Sequence, residues 1–358
     1  MKDGKERGYV LDCNNIFLSI IIPVYNTSAY LKRCLDSVEK ALENVVEKCE
    51  VLIINDGSTD NSSDIINKFC LGKSSIYKVY EKENGGLSDV KNYGLKYARG
   101  TYVIFLDSDD YVPENMYQEL LDKIKENNAD VAVCDIKLKY DDDCMDEMRS
   151  CITMSRDEVF SQVIDMSMMP ASWNKIVKKE LYKDLTFPVG KNNEDVAVTP
   201  IVLGRAKKIV TTNNTFYNYY QRQGSIQNSE FNEKRFIILE TAQICMERIK
   251  ELPPKKQEII KGSIYLHQIL SLAFYPIKRE RFKKRYELLK KYMEKVNHMF
   301  PDIWNNYEIK EFVTWQGVFY RTYRKISVYL LKHKFYYMTA VFWAFCNKAE
   351  YLNDLRKK

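Results

Sequence analysis

The fold is decided by one nine-residue stretch, Tyr102-Val103-Ile104-Phe105-Leu106-Asp107-Ser108-Asp109-Asp110. Its first five residues predict a buried strand, and the aspartates follow that strand without a break. Carboxylates crowded at one strand end repel each other unless a cation compensates them. Mg²⁺ and Mn²⁺ bind one or two carboxylates together with phosphate oxygens, so the stretch indicates a metal and diphosphate site. The alternative is that the aspartates only cap the turn into the next helix.

On both sides of this strand, the first 140 residues alternate strand-like and helix-like patterns. The other strand-like runs are Phe17–Tyr25, Val51–Asn55, Ile76–Tyr80 and Val131–Leu138. Continuous apolar strands separated by helices are typical of a mostly parallel sheet with helices on both faces. Ligands of such sheets bind beyond the carboxyl ends of the strands, and the polar segments 55–60 and 107–110 fall there. The predicted fold class is therefore α/β with a Rossmann-like sheet.

The pattern divides the chain into a polar N-terminal segment (1–16), an α/β domain (17–230) and a smaller all-helical domain (231–358). The length of 358 residues exceeds what one compact core usually holds, which also favours two domains. Within the α/β domain we distinguish a nucleotide half (17–110) from an acceptor half (111–230). The first 230 residues have a net charge of −7 and the remainder has +13. A basic helical domain suits nucleic acid, anionic lipid or an acidic partner.

Several common sites are excluded by what the sequence lacks. No Gly-x-Gly-x-x-Gly follows the first strand, and Gly72-Lys73-Ser74 is not a P-loop because Asn67 replaces the leading glycine. The three histidines all lie in the helical domain, so catalysis in the α/β domain must rely on carboxylates. The nine cysteines form no Cys-x-x-Cys pair, which argues against zinc and favours a reducing cytosol. Neither a signal peptide nor an apolar run of roughly 20 residues is present, so we expect no membrane span.

A series of motifs extends from the first strand to the end of the α/β domain. In chain order they are Ile21-Ile22-Pro23-Val24-Tyr25-Asn26, Asn55-Asp56-Gly57-Ser58-Thr59-Asp60, Glu83-Asn84-Gly85-Gly86-Leu87-Ser88, Phe105-Leu106-Asp107-Ser108-Asp109-Asp110, Trp173-Asn174-Lys175, Asn193-Glu194-Asp195-Val196 and Tyr219-Tyr220-Gln221-Arg222-Gln223-Gly224-Ser225. Together they resemble glycosyltransferase family 2, which has the GT-A fold. The resemblance covers about residues 17–228 and does not extend into the helical domain.

The resemblance implies a binding site for a UDP-sugar donor. Its members would be Pro23, Tyr25, Asn26, Asp56, Asn84, Gly85, Gly86, Lys91, Asp107, Ser108, Arg222 and Ser225. Asp56 would accept a hydrogen bond from the uracil N–H, although Asp-Gly is also an ordinary turn signal. The two glycines would let the backbone approach the nucleotide, unless they only form a loop. Lys91 departs from the arginine that is usual in the family, and lysine lacks the bidentate guanidinium fork.

The resemblance also assigns the chemistry of transfer. Asp109 and Asp107 would ligate Mn²⁺ or Mg²⁺ beside the diphosphate. An inverting displacement needs one base on the acceptor side of the anomeric carbon. Asp195 would be that base, with Glu194 as its neighbour, unless the run Asn-Glu-Asp only begins a helix.

The acceptor and the partners of the helical domain are defined less sharply. Trp173 would offer a stacking face to a sugar, with Asp110 nearby, and a buried core tryptophan is the alternative. Residues 304–351 interleave fifteen aromatic residues with Lys and Arg. Such a pattern forms a core, an interface with a second copy, or a surface for an anionic bilayer. Nucleic acid is not expected, because no nucleic-acid module is recognisable.

These observations predict a bacterial-type inverting hexosyl- or N-acetylhexosaminyltransferase. It would move a sugar from a UDP-sugar to a hydroxyl of a glycan or lipid-linked acceptor, in the synthesis of a cell-surface polysaccharide or glycoconjugate. We expect it in the cytoplasm, at the inner face of the membrane. One rival is a non-catalytic partner subunit that kept the fold. A second rival is a sugar-phosphate nucleotidyltransferase, which should have a Gly-rich loop after the first strand.

Overall fold

The computed structural model describes residues 16–139, 147–149, 170–221, 233–306, 309 and 318–356. Within these residues one eight-stranded sheet lies at the centre of the N-terminal half. Its strands are β1 (Leu18–Val24), β2 (Cys49–Asn55), β3 (Tyr77–Glu81), β4 (Tyr102–Phe105), β5 (Val131–Lys139), β6 (Glu147–Arg149), β7 (Lys175–Lys178) and β8 (Ile209–Tyr220). They lie in the order β3-β2-β1-β4-β7-β5-β6, and β8 also pairs with β5.

The strand β1 lies in the middle of the parallel part of the sheet. All seven of its residues are buried, and it pairs in parallel with β2 on one side and β4 on the other. Ile21 lies opposite Leu52 of β2 and Phe105 of β4. A strand covered on both faces has a continuous apolar sequence, which is why these strands were predictable. The predicted α/β class with a mostly parallel sheet is confirmed.

The far side of the sheet departs from a simple parallel order. β7 inserts between β4 and β5 and is antiparallel to both. Tyr102 of β4 lies opposite Lys178 at the end of β7. Since the two strands run in opposite directions, β7 begins at the carboxyl end of β4. This direction brings Ser172 and Trp173 next to the aspartates that follow β4.

Five helices belong to the N-terminal half within the described residues. They are α1 (Ser28–Glu43), α2 (Ser62–Cys70), α3 (Leu87–Tyr97), α4 (Met116–Asn127) and α5 (Thr199–Arg205). α3 begins directly after Gly86, whose φ of 83° suits glycine. Farther along α3, a Cβ on Gly94 would lie 2.4 Å from Cγ2 of Ile21. The missing side chain therefore lets α3 pack tightly against β1, which sets the position of every side chain on that helix.

The described residues from 233 onward, called here the helical region, contain five α-helices. They are α6 (Ile238–Arg248), α7 (Pro254–Ser263), α8 (Phe282–Met299), α9 (Val318–Lys332) and α10 (Tyr336–Arg356). This region packs directly on the end of the α/β part. Arg248 donates to the main-chain oxygen of Ala197 at 3.0 Å, and a Cβ on Gly204 would lie 2.3 Å from Cδ1 of Leu252. No helix within the described ranges is long and apolar enough to cross a membrane.

Candidate active site

The loop after β2 is organised around the carboxylate of Asp56, which is buried. Its Oδ1 accepts the backbone N–H of Gly85 at 2.9 Å, and its Oδ2 accepts that of Gly86 at 2.8 Å. Lys82 Nζ lies 2.5 Å from Oδ1, and Asn84 Nδ2 lies 3.2 Å from Oδ2. A carboxylate offers about four lone-pair directions, and all four are in use. Asp56 therefore holds the Asn84-Gly85-Gly86 loop, and a uracil N–H would have to replace one of these donors.

Lys82 is a member of this loop that the sequence did not indicate. Its Nζ also lies 2.7 Å from Oδ2 of Asp89, on the first turn of α3. Burial lowers the pKa of Lys82, but its hydrogen bonds with Asp56 and Asp89 outweigh that effect and raise the pKa overall. No motif marks Lys82, because its partners lie 26 residues earlier and on the following helix.

The end of β1 supplies the residues expected at the nucleotide base. Pro23 is buried within the strand, whereas Tyr25 is 49% exposed and leaves a ring face open. Asn26 adopts a left-handed conformation with φ of 52°. Its Oδ1 accepts the N–H of Thr59 at 2.8 Å, and its own N–H donates to Oγ of Ser58 at 3.1 Å. The ends of β1 and β2 are thereby tied together.

The aspartates after β4 divide into two kinds. Asp107 and Asp109 are half-buried, whereas Asp110 is fully buried. Oδ2 of Asp110 accepts the hydroxyl of Tyr217 at 2.7 Å, and Oδ1 accepts the N–H of Tyr220 at 2.8 Å. Both carboxylate oxygens thus bind β8, and the acceptor contact of Asp110 stays a prediction. Its side chain faces the protein because β8 supplies hydrogen bonds there.

Ser108 also faces the protein. Its Oγ lies 2.8 Å from Oγ1 of Thr27, and both side chains are buried. A contact between this side chain and the donor would require the pair to separate. The site that remains accessible at the end of β4 is therefore formed by Asp107 and Asp109.

The charge of Asp107 is disfavoured by its surroundings. Burial is the main cause that raises the pKa of its carboxyl to about 7. Lys91 opposes the shift, whereas Asp109, Asp195 and Glu194 add to it by repulsion. A divalent cation would relieve this repulsion, and two carboxylates suit Mg²⁺ or Mn²⁺ if diphosphate oxygens complete the coordination. Among the described residues, no group of three or more His, Cys, Asp or Glu side chains could hold a metal alone.

The pair Glu194-Asp195 opens a 3₁₀ turn, Glu194–Ala197, and faces α3. Lys91 Nζ lies 2.6 Å from Oε1 of Glu194 and 2.8 Å from Oδ1 of Asp195. The Oδ2 of Asp195 accepts the N–H of Ser172 at 3.0 Å. Lys91 is buried and engaged by both acids, and its nucleotide contact stays a prediction. The fold directs its ammonium group to the acidic pair because burial requires a counter-charge.

Trp173 belongs to an aromatic stack in the core. Its ring lies 4.4 Å from that of Tyr217 and 5.3 Å from that of Tyr219, with interplanar angles of 30° and 29°. The residue is only 6% exposed. The sugar-stacking role stays a prediction, and a sugar would have to share the ring with these tyrosines of β8.

The comparisons with known proteins agree with this architecture. The family model described as Glycosyl transferase family 2 matches residues 19–193. The glycosyltransferase GlyG of Streptococcus pneumoniae is 32% identical over 228 residues, which is 60% of this chain and 74% of GlyG. The chain belongs to glycosyltransferase family 2. The family and the enzyme class predicted from the sequence are confirmed.

Solved structures support the same fold for this glycosyltransferase. S. aureus TarS 1-349, in complex with UDP-GlcNAc, superposes with a TM-score of 0.67 at 19% identity, covering 93% of this chain and 92% of that one. The mannosyltransferase PcManGT of Pyrobaculum calidifontis, in complex with GDP-Man and Mn²⁺, gives a TM-score of 0.53 at 13% identity, covering 93% and 86%. These likenesses extend through the helical region, which the motifs did not reach. At such identities they establish the fold alone.

Two predicted donor-binding residues of the glycosyltransferase, Arg222 and Ser225, lie outside the described residues.

A further arginine near the aspartates was not predicted. Arg33 of α1 donates from Nη2 to the main-chain oxygen of Asp109 at 2.9 Å. Its guanidinium lies 4.1 Å from the ring centre of Tyr220 and 4.5 Å from that of Tyr111. Arg33 therefore fixes the backbone of a predicted metal ligand against the end of β8.

Proposed function

We propose that this glycosyltransferase moves a sugar from a UDP-sugar to an acceptor hydroxyl with inversion at the anomeric carbon. The observation that supports this best is that Asp107, at the carboxyl end of β4, lies near enough to the Glu194-Asp195 pair for their charges to interact. The ionisation of Asp107 responds to Asp195, Glu194 and Lys91. A single displacement requires one acid on the donor side and a second acid close to it.

In this mechanism the acceptor oxygen attacks the anomeric carbon while the bond to the diphosphate oxygen breaks. Asp195 removes the proton of the attacking hydroxyl and UDP leaves from the opposite face, so the configuration inverts. The loop held by Asp56 positions the nucleoside. Asp107 and Asp109 would hold Mn²⁺ or Mg²⁺ together with the diphosphate. A bound divalent ion would offset the negative charge that develops on the leaving group.

The choice of UDP-sugar is supported by the TarS complexes with UDP-GlcNAc and UDP. The PcManGT complex with GDP-Man and Mn²⁺ supports a divalent ion and makes a GDP-sugar the second candidate donor. The minor teichoic acid biosynthesis protein GgaB of Bacillus subtilis, which is 25% identical over 231 residues, supports an acceptor of the cell-surface glycan class. We propose a glycan or lipid-linked hydroxyl as acceptor, at the cytoplasmic side of the membrane.

The test is nucleotide release from a panel of UDP- and GDP-sugars, with Mn²⁺ or with EDTA, for the wild type and Asp195→Asn. We expect UDP release only with UDP-sugars and metal. Asp195→Asn should bind the donor normally and lose on the order of 10²–10⁴-fold in turnover, the usual contribution of a general base. A non-catalytic partner subunit would release no nucleotide. Near-native turnover of Asp195→Asn would show that the base is misassigned.

We also propose that the helical region attaches the enzyme to an anionic bilayer. α10 is apolar on its buried face and also on its outer face, where Met338, Val341 and Phe345 are 56%, 45% and 74% exposed. A groove of about 750 Å³ beside this face is lined by Lys290, Lys334 and one carboxylate, Glu294, together with aromatic and polar residues. Exposed apolar groups next to cations suit a surface of anionic lipid. The competing occupant of this face is a second copy of the chain.

A further inference from the structure

Lys91 joins α3 to the acidic pair Glu194-Asp195 by two ion pairs. It is 1% exposed, with Nζ 2.6 Å from Glu194 and 2.8 Å from Asp195. The rings of Phe187 and Phe105 lie 5.2 Å and 5.6 Å from the same nitrogen. An ammonium group in such apolar surroundings is costly unless it is paired. Burial and pairing therefore hold Lys91 and the two carboxylates in one arrangement.

The arrangement is rigid because α3 is fixed at both ends. The turn before α3 is held by hydrogen bonds from Gly85 and Gly86 to Asp56. Near the end of the helix, Gly94 packs against Ile21 without room for a side chain. The backbone of Lys91 lies between these two fixed points.

The carboxylate of Asp195 is held from two sides. Oδ1 meets Lys91, and Oδ2 accepts the N–H of Ser172 at 3.0 Å. Each oxygen keeps one further lone-pair direction. The carboxylate is thus oriented and still able to accept a proton.

We propose that Lys91 is a positioning residue that aims Asp195 at the acceptor hydroxyl. This inference rests on the proposed role of Asp195 as the base. It gives the lysine that replaces the family's usual arginine a function away from the nucleotide. The ammonium group of lysine can pair with two carboxylates at once, so the planar guanidinium of arginine is not needed here.

Three variants test the inference: Lys91→Met, Lys91→Arg and the control Lys96→Met, which changes an exposed lysine of the same helix. We expect Lys91→Met to lower kcat by on the order of 100-fold, as a misplaced catalytic group does. Its KM for the donor and its Kd for UDP should stay within about threefold, because binding uses other residues. Lys91→Arg should recover part of kcat, and Lys96→Met should match the wild type.

The recovery of kcat in Lys91→Arg separates positioning from a loss of packing. The charged or titratable groups around Asp195 are Lys91 on α3, Glu194 beside it, Asp107 at the end of β4 and Tyr182. Of these only Lys91 is a cation, so only another cation at position 91 can orient the carboxylate by pairing with it. A purely structural role would show no recovery of kcat in the arginine variant.

Unfolding midpoints must accompany these measurements, because Lys91→Met leaves the carboxylates of Glu194 and Asp195 without their cation. If that variant does not fold, Lys91→Met combined with Glu194→Gln removes one of the two charges and should show the same loss of kcat. A folded Lys91→Met with wild-type kcat would overturn the inference. Tenfold weaker UDP binding with unchanged kcat would also overturn it, in favour of a nucleotide contact.

The double variant Lys91→Met/Asp195→Asn distinguishes this inference from the proposed function. If Lys91 acts through Asp195, the lysine change should add less than about threefold to the loss caused by Asp195→Asn. Near-native turnover of Asp195→Asn would refute the proposed base itself. A large loss in Asp195→Asn with a fully additive effect of Lys91→Met would refute only the role of Lys91.

Discussion

Asp107 keeps its proton to a higher pH than an exposed aspartate, because burial raises its pKa to about 7. In the unfolded chain its pKa is about 4, so between about pH 4 and 7 the folded protein binds the extra proton. The contribution of Asp107 to stability therefore falls as pH rises through this window, and the loss is complete above it. We predict that Asp107→Asn raises the urea midpoint at pH 8 in EDTA and hardly changes it at pH 4. The control Asp64→Asn changes an exposed aspartate and should leave the urea midpoint unchanged at both pH values. Equal shifts of the midpoint of Asp107→Asn at pH 4 and pH 8 would contradict the prediction.

Asp109 makes a second prediction at the same scale. Asp109→Ala should lower turnover by on the order of 100-fold or more, since one preorganised charge at the leaving group has about that value. We expect UDP to bind the variant weakly even in Mn²⁺. Calorimetry should show the same affinity for UDP in that case as for the wild type in EDTA. Its thermal midpoint without ligand should be unchanged, because Asp109 is only half-buried. Full activity of the variant in a chelator would exclude the metal site.

Residue types were predictable where the signal is local. Asp107 and Asp109 follow a strand directly, and their chemistry can be inferred from that fact alone. The orientations of Lys91 and Asp110 were not predictable, since their partners lie 103 and 107 positions away. The aromatic stack around Trp173 was hidden for the same reason, because the tyrosines that contact its ring belong to β8.

At the scale of elements, the contact between α3 and β1 gives a prediction. A methyl group at position 94 would lie 2.4 Å from Cγ2 of Ile21, so Gly94→Ala must push the helix off the sheet. We expect a loss of about 1–3 kcal/mol in the free energy of urea unfolding, typical of overpacking. We also expect lower kcat in the folded variant, because α3 positions Lys91. The control Lys96→Ala, on the exposed side of the helix, should change neither the unfolding free energy nor kcat. An unaltered kcat in Gly94→Ala would show that the position of α3 does not affect catalysis.

The central strands were predictable because burial on both faces produces uninterrupted apolar runs, as in β1. β7 was not predictable. It has four residues, Lys175–Lys178, which is too short for a periodic pattern. Its antiparallel direction depends on pairing with β4, more than 70 residues earlier. Placement of Ser172 beside Asp195 follows from that direction, so this part of the site was also hidden.

At the scale of the whole molecule, the exposed face of α10 predicts how the enzyme meets a membrane. The protein should sediment with anionic vesicles at low salt, detach at high salt and ignore neutral vesicles, since each basic residue near the surface contributes about 1 kcal/mol. Met338→Glu combined with Phe345→Glu should abolish sedimentation and leave UDP release with soluble substrates intact. The control is Val46→Glu, which changes an 89% exposed valine that is distant from α10 in the sequence. Equal indifference to both vesicle types, or a dimer that the double variant dissociates, would contradict the bilayer proposal.

The close contact of Gly204 with Leu252, together with the hydrogen bond from Arg248 to Ala197, joins the two parts of the chain, and we expect them to unfold together. Neither part can open at this junction without exposing apolar surface of the other. A ligand that binds only the folded form stabilises every element that unfolds with its site. A donor held at the aspartates would therefore protect helices that it never touches from heat and proteases.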